Sequence, residues 1–281
     1  MSMRLRIAHH TGYRYGGPVT SSYNEVRVTP MTTPEQTALR TRLEVRPAPW
    51  QHVYHDYWGS QVTVFEVHEA HSELAVTATS TVEVDRPGAP PPGGSWEQLR
   101  DPAVVDEVVE LLAPSARTTP PPELAERVRS LAGAGASPDD LAAEICRVLH
   151  AEVRYVPGAT GVHSRAADAW GERAGVCQDF AHLALGALRL AGIPARYVSG
   201  YLHPDPSAVV GATVTGESHA WVEWWAGEWF GWDPTNDVAP GDRHVIVARG
   251  REYADVPPLK GVYAGSASSQ MVVKVDITRL A

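Results

Sequence analysis

The run from residue 87 to 94 constrains the fold most: seven of its eight residues are Pro or Gly. Proline lacks a backbone donor and glycine loses the most entropy on ordering, so neither helix nor strand passes through such a stretch. The hydrophobic period differs on its two sides. Before it, Leu39, Thr41, Leu43 and Val45 alternate with Arg40, Arg42 and Glu44, and Leu74, Val76, Ala78, Val82 and Val84 alternate with polar residues. That is the pattern of half-buried antiparallel strands. After it, Asp101-Pro102 reads as a cap and a first-turn proline leading into Val104, Val105, Val108, Leu111 and Leu112. Ser137 to Leu149 reads as a further helix, with Ser137 and Asp140 in a capping-box-like relation. The expectation is an α+β chain: an antiparallel β domain over residues 1–85, a linker over 86–98 and a second domain over 99–281.

Within the second part, Phe180, Leu183, Ala184, Ala187, Leu188 and Ala191 follow helical spacing, while Ala181, Leu185 and Leu190 make the other faces apolar. A helix apolar nearly all round belongs inside a domain. Gly192 and Pro194 end it, and Arg196 to Tyr201 reads as a strand. Later strands are expected at His244 to Ala248 and near the C-terminus, with Met271, Val273, Val275 and Ile277 on one face.

Charge and cysteine content exclude several functions. The formal charge is -9 and no basic run occurs, which leaves nucleic acid and anionic lipid without an electrostatic partner. No apolar run approaches the ~18 residues of a membrane span, and the N-terminus lacks a signal-like apolar stretch, so the cytoplasm is the expected compartment. Cys146 and Cys177 are too few for a disulfide framework and lack the spacing of a thiolate zinc site.

Cys177 opens the buried helix, where the dipole and unpaired N–H groups favour thiolate; the alternative is a small core hydrophobe. The stretch from Glu217 to Asn236 reads as a Trp-rich hairpin turning at Ala226-Gly227, with His219 and Asp233 each seven residues from Ala226. Both should lie at its open end, side by side across the strands. A two-residue loop would turn Asp233 to the opposite face, so the pair requires an odd loop or a bulge. A thiol, an imidazole and a carboxylate are the three groups that acyl transfer through sulfur needs.

Gly175-Val-Cys-Gln-Asp-Phe-Ala-His-Leu183, Gly192-Ile-Pro-Ala-Arg-Tyr-Val-Ser-Gly-Tyr201, His219-Ala-Trp-Val-Glu223 and Trp232-Asp-Pro-Thr-Asn236 together resemble the bacterial transglutaminase-like family. The resemblance covers roughly residues 140 to 262, and His10-Thr-Gly-Tyr-Arg-Tyr15 resembles the β domain that precedes the core in this family. It implies a papain-like core without metal or other cofactor. Cys177 is then the nucleophile, His219 the general base and Asp233 its orienter. The substrate is a peptide or protein carrying an amide, and the activity is that of a cysteine peptidase or amidase, or of a cross-linking protein-glutamine amine transferase.

Beyond the triad, the N–H of Cys177 is the expected first oxyanion donor, and Gln178 or Tyr155 the second. Asp179 suits the first helical turn by charge alone. His182 and Cys146 read as structural. Trp221 and Trp224 either wall an acyl pocket or pack the hairpin. Two other readings stand beside the enzyme: a non-catalytic scaffold that keeps the fold, and a zinc site of Cys177, His219 and Asp233.

Overall fold

The computed structural model describes residues 2–86, 88, 91, 93–265 and 268–281. Pro87, Ala89, Pro90 and Pro92 of the expected linker lie outside the described residues. Six strands come first: β1 (Met3–Val19), β2 (Ser21–Val26), β3 (Gln36–Arg46), β4 (Trp50–His55), β5 (Gln61–Val67) and β6 (His71–Val84). Helices α1 (Trp96–Leu99), α2 (Pro102–Val108), α3 (Pro122–Ala132) and α4 (Pro138–Glu152) follow. Then come β7 (Arg154–Tyr155), α5 (Ala166–Glu172), β8 (Ala174–Gly175), α6 (Cys177–Leu190) and β9 (Ala195–Leu202). The chain ends with β10 (Thr213–Trp225), β11 (Trp229–Trp232), β12 (His244–Gly250), β13 (Leu259–Ala264) and β14 (Ser269–Arg279). Among the described residues no helix is long and apolar enough to cross a membrane.

The expected alternation holds on β6, where Leu74, Val76, Ala78, Val82 and Val84 are all buried. It breaks on β3: a bulge between Ala38 and Arg40 shifts the register, and Leu39 is left 48% exposed. On β14, Val275 and Ile277 enter the core that the helices cover, whereas Met271 and Val273 have run past that cover and are exposed.

One large antiparallel sheet runs β12-β9-β10-β14-β1-β6-β3, with β11 added to β10. β14 joins its halves, pairing with β1 from Leu5↔Arg279 to Tyr15↔Ser269 and with β10 from Thr213↔Thr278 to Gly216↔Val275. The sheet therefore crosses the break in periodicity, and the last strand lies beside the first. A second sheet, β13-β2-β5-β4, also draws a strand from each side of the linker. It encloses a core with Tyr15, Val19, Phe65, Val67, Leu74 and Val76. Met3, Leu5 and Ile7, at the other end of β1, pack instead into the core that the helices complete.

α6 is the centre of that helical core. Phe180, Ala181, Leu183, Ala184, Leu185, Ala187 and Leu188 are each at most 1% exposed, and the helix packs on β10, β9, α4 and α5. A glycine lets the chain beside Thr118 cross it closely: a Cβ on Gly186 would stand 1.7 Å from the Thr118 carbonyl oxygen.

The hairpin pairs Trp225 with Trp229 and Val222 with Trp232, closing through Ala226, Gly227 and Glu228. This loop is odd, as parity requires, and Gly227 supplies its positive φ of 101°. Its centre is one residue later than expected, so register sets Asp233 opposite Trp221 rather than His219. β11 stops at Trp232, and Asp233 turns back to bridge Val238. Arg196 on β9 and Arg249 on β12 both bond the buried Glu223 of β10, tying three adjacent strands together.

Gly186→Ala should destabilise the protein by ~2 kcal/mol or more, although alanine is the better helix former, because the helix must part from Thr118. Urea unfolding of the two proteins checks this; equal midpoints would show that the crossing relaxes freely.

Candidate active site

Each part of the site is placed by a different element. β7 pairs in parallel with β8, setting Tyr155 beside Gly175. The chain then enters α6 at Cys177, which is partly exposed and whose N–H, the first of the helix, has no acceptor within it. Asp179 turns back to accept from the Val176 N–H at 2.8 Å and from the Thr160 hydroxyl. It thus caps the helix start and ties down the preceding loop. A Cβ on Gly175 would meet the Asp179 side chain at 2.7 Å, so only glycine fits there. Burial raises the Asp179 carboxyl, while the bonds from Thr160 and Val176 oppose that rise.

β10 carries His219 where its outer edge is unpaired. β14 leaves that edge at Gly216 and β11 joins it at Val222. Asp233 and Asn236 fold into this interval. The Nε2 of His219 lies 2.7 Å from Asp233 Oδ2, and the ring is also near enough to Cys177 to interact with it electrostatically. Burial would lower the imidazole, but the bond to Asp233 and the contact with Cys177 outweigh it and hold the group up to about 10.

Asp233 is fully buried, yet its carboxylate is saturated with donors. Oδ1 accepts from the N–H groups of Thr235 (3.0 Å) and Asn236 (3.2 Å); Oδ2 accepts from the Asn236 amide at 2.7 Å and faces His219 and His244. Burial works against the charged form, and these donors overcome it, holding the carboxyl well below the usual range.

His244, at the start of β12, was not singled out from the sequence, where it is simply the first residue of an expected strand. Its Nδ1 accepts from the Gly241 N–H at 3.2 Å, so the proton of the neutral ring sits on Nε2 and is donated to Asp233 at 3.2 Å. Burial lowers its basicity, which suits the neutral form. His219, Asp233 and His244 offer ligand atoms within 4.8 Å of one another. They fit a metal poorly, because it would need His244 Nε2 bare and that nitrogen carries the proton.

Gln178 and Tyr155 flank the site with their donors engaged. The Gln178 amide reaches the Val162 carbonyl at 3.5 Å, and the Tyr155 hydroxyl donates to Glu217 at 3.4 Å. Trp221 and Trp224 do not wall the cleft. Trp221 is 1% exposed, tilted against the His219 ring and edge-on to that of His244, and packed with Val198 and Ile246. Trp224 is inside the hairpin core, its indole N–H donating to Asp139. Cys146 is buried among apolar side chains, and His182 accepts from the Tyr253 N–H. A cleft of about 430 Å³ opens beside His219, lined also by Tyr155, Glu217, Leu202, Pro204 and Asn236.

Residues 123–234 match the model of the transglutaminase-like superfamily, and residues 5–83 that of the bacterial transglutaminase-like N-terminal region. A protein of Mycobacterium leprae is 45% identical over 278 residues, covering 99% of each chain. The chain belongs to the transglutaminase-like superfamily. Its structure is similar to that of a candidate cysteine protease from Cytophaga hutchinsonii, with a TM-score of 0.78 and 25% identity over 100% of this chain and 92% of the other. An alignment of 149 positions, taking in 47% of this chain and 22% of the other protein, is 37% identical to part of a protein-glutamine gamma-glutamyltransferase from Pseudomonas aeruginosa. This superfamily is usually enzymatic.

The His219–Asp233 pair gives stability a pH signature. The folded imidazole titrates above its ordinary value of 6.5, so its contribution is complete below that value and fades as pH rises towards about 10. The destabilisation by His219→Gln should accordingly be larger at pH 6 than at pH 10, read by urea unfolding at both. A penalty that grew with pH would contradict the ion pair.

Proposed function

We propose that the protein is a thiol acyl-enzyme catalyst acting on amide bonds of peptide or protein substrates. The observation that carries the proposal is His219, bonded to the buried Asp233 at 2.7 Å and interacting electrostatically with Cys177, at the edge of an open cleft. Cys177 Sγ attacks the carbonyl carbon as the thiolate of an ion pair in which His219 already holds the proton. The tetrahedral oxyanion forms near the Cys177 N–H at the helix start, where the dipole favours negative charge. Collapse breaks the carbon–nitrogen bond, and His219 returns the proton to the leaving amine or ammonia. The thioester is then attacked by water or a second amine, with His219 as base. Asp233 keeps the imidazole oriented and stabilises its charged form.

Tyr155, Glu217 and Asn236 are exposed along the cleft, so water reaches the thioester and hydrolysis is the preferred outcome. Transfer to an amine is the second reading, favoured by the segment similar to a gamma-glutamyltransferase. A scaffold role accounts less well for a fully buried carboxylate held by five donors beside a thiol.

Cys177→Ala should abolish turnover of amide peptides and leave the circular dichroism spectrum unchanged. Asp233→Asn should lower kcat by a factor on the order of 10⁴, the loss known for the equivalent change in a serine protease. Turnover that survives Cys177→Ala would falsify the mechanism. Mass spectrometry of products formed with excess primary amine separates the outcomes: predominant amine adduct would replace hydrolase by transferase.

A further inference from the structure

We infer that Glu217 and Tyr155 form a subsite for an alkylammonium group of the reactants; this rests on the reading of the cleft beside His219 as the place where substrate reaches Cys177. Glu217 and His219 are two residues apart on β10, so their side chains leave the same face of the strand. Both line the cleft, at the interval where the outer edge of β10 is unpaired. Of the described side chains lining it, Glu217 is the one carboxylate. Among the described residues it makes no ion pair; its recorded partner is the Tyr155 hydroxyl at 3.4 Å.

The remaining wall supplies what an alkyl chain needs. Tyr155 is 44% exposed and offers an aromatic ring, and Leu202 and Pro204 add apolar surface. A carboxylate and a tyrosine ring are complementary to an ammonium on a short aliphatic stem, through charge and through cation–π attraction. An anionic substrate would meet Glu217 with repulsion. The ammonium has two sources with the same chemistry: a lysine-like residue of the amide substrate, or the amine that accepts the acyl group.

Alkylation of Cys177 tests the subsite without relying on turnover. Two chloroacetamides are compared, one with an aminoethyl group on its nitrogen and one with a propyl group, in wild type, Glu217→Gln and Glu228→Gln. Glu228 lies in the hairpin loop, so its removal controls for the general attraction of a chain of charge -9. The expected ratio of cationic to neutral rate constants is about fivefold in wild type and in Glu228→Gln, falling to about one in Glu217→Gln. Equal rates in wild type, or a preference that survives Glu217→Gln, would overturn the proposal.

Turnover then assigns the source. If the amine acceptor is the ligand, Glu217→Gln lowers the fraction of product carried by added 1,4-diaminobutane. If a substrate residue is the ligand, it lowers the kcat/KM ratio of lysine to norleucine peptides. Absence of any amide turnover would defeat the acyl-enzyme reading, while the alkylation ratio still decides the subsite.

Discussion

Asp233 is a negative charge with no exposure to solvent, and the site is organised around making that burial tolerable. An isolated carboxylate in such a place would cost several kcal/mol or take up a proton. Five donors prevent this, and they come from separate pieces of chain: the turn at Thr235 and Asn236, His219 on β10 and His244 on β12. The register of β9 against its two neighbours is therefore coupled to the state of one side chain. His219 pairs by register with Gly200, and Ile246, two residues after His244, pairs with the same glycine from the other side. A Cβ on Gly200 would meet the Val245 carbonyl oxygen and the ring of Trp221, so glycine is what lets both strands and the indole approach there.

The two imidazoles on Asp233 have opposite tasks, and the backbone enforces the difference. The Gly241 N–H fixes His244 as a neutral donor with its proton on Nε2. Among the described residues no backbone group bonds the His219 ring, which interacts with Cys177 instead. One histidine thus serves the carboxylate and the other serves the thiol. Trp221 contacts both rings, tilted against His219 and edge-on to His244, which accounts for a buried tryptophan two residues beyond His219.

Much of this was legible in the sequence because it is locally encoded. The apolar wrap of Phe180 to Leu188 predicts a central helix, and Cys177 at its start follows directly. Parity predicts the odd hairpin loop that brings Asp233 to the face of His219. What could not be read depends on contacts between distant segments. His244 reaches Asp233 through the pairing of β12 with β9, and nothing in its own neighbourhood advertises that. The pairing of β14 with β1 likewise crosses the whole chain, so the change of period at the linker suggests a separation that the sheet does not have. Trp221 and Trp224 illustrate a third limit: their spacing shows that they belong to the hairpin, but not which face the cleft takes.

The motif residues divide into two groups by what they hold. Arg196 and Glu223 lie in two of the recognisable blocks, yet they are remote from the sulfur. They face each other across β9 and β10, with Arg249 joining from β12 and Trp229 stacked on Arg196 at 3.8 Å. Burying that charge cluster is tolerable because each carboxylate oxygen of Glu223 is bonded by a guanidinium. Its effect is to lock the strand that carries His219 to β9 and, across β9, to β12. On the outer edge β10 is free between Gly216 and Val222, and that freedom admits Asp233 from one end and leaves Glu217 open to the cleft at the other. A strand clamped on one side and open on the other is thus what allows His219 to be rigid towards Asp233 and accessible to a substrate at once.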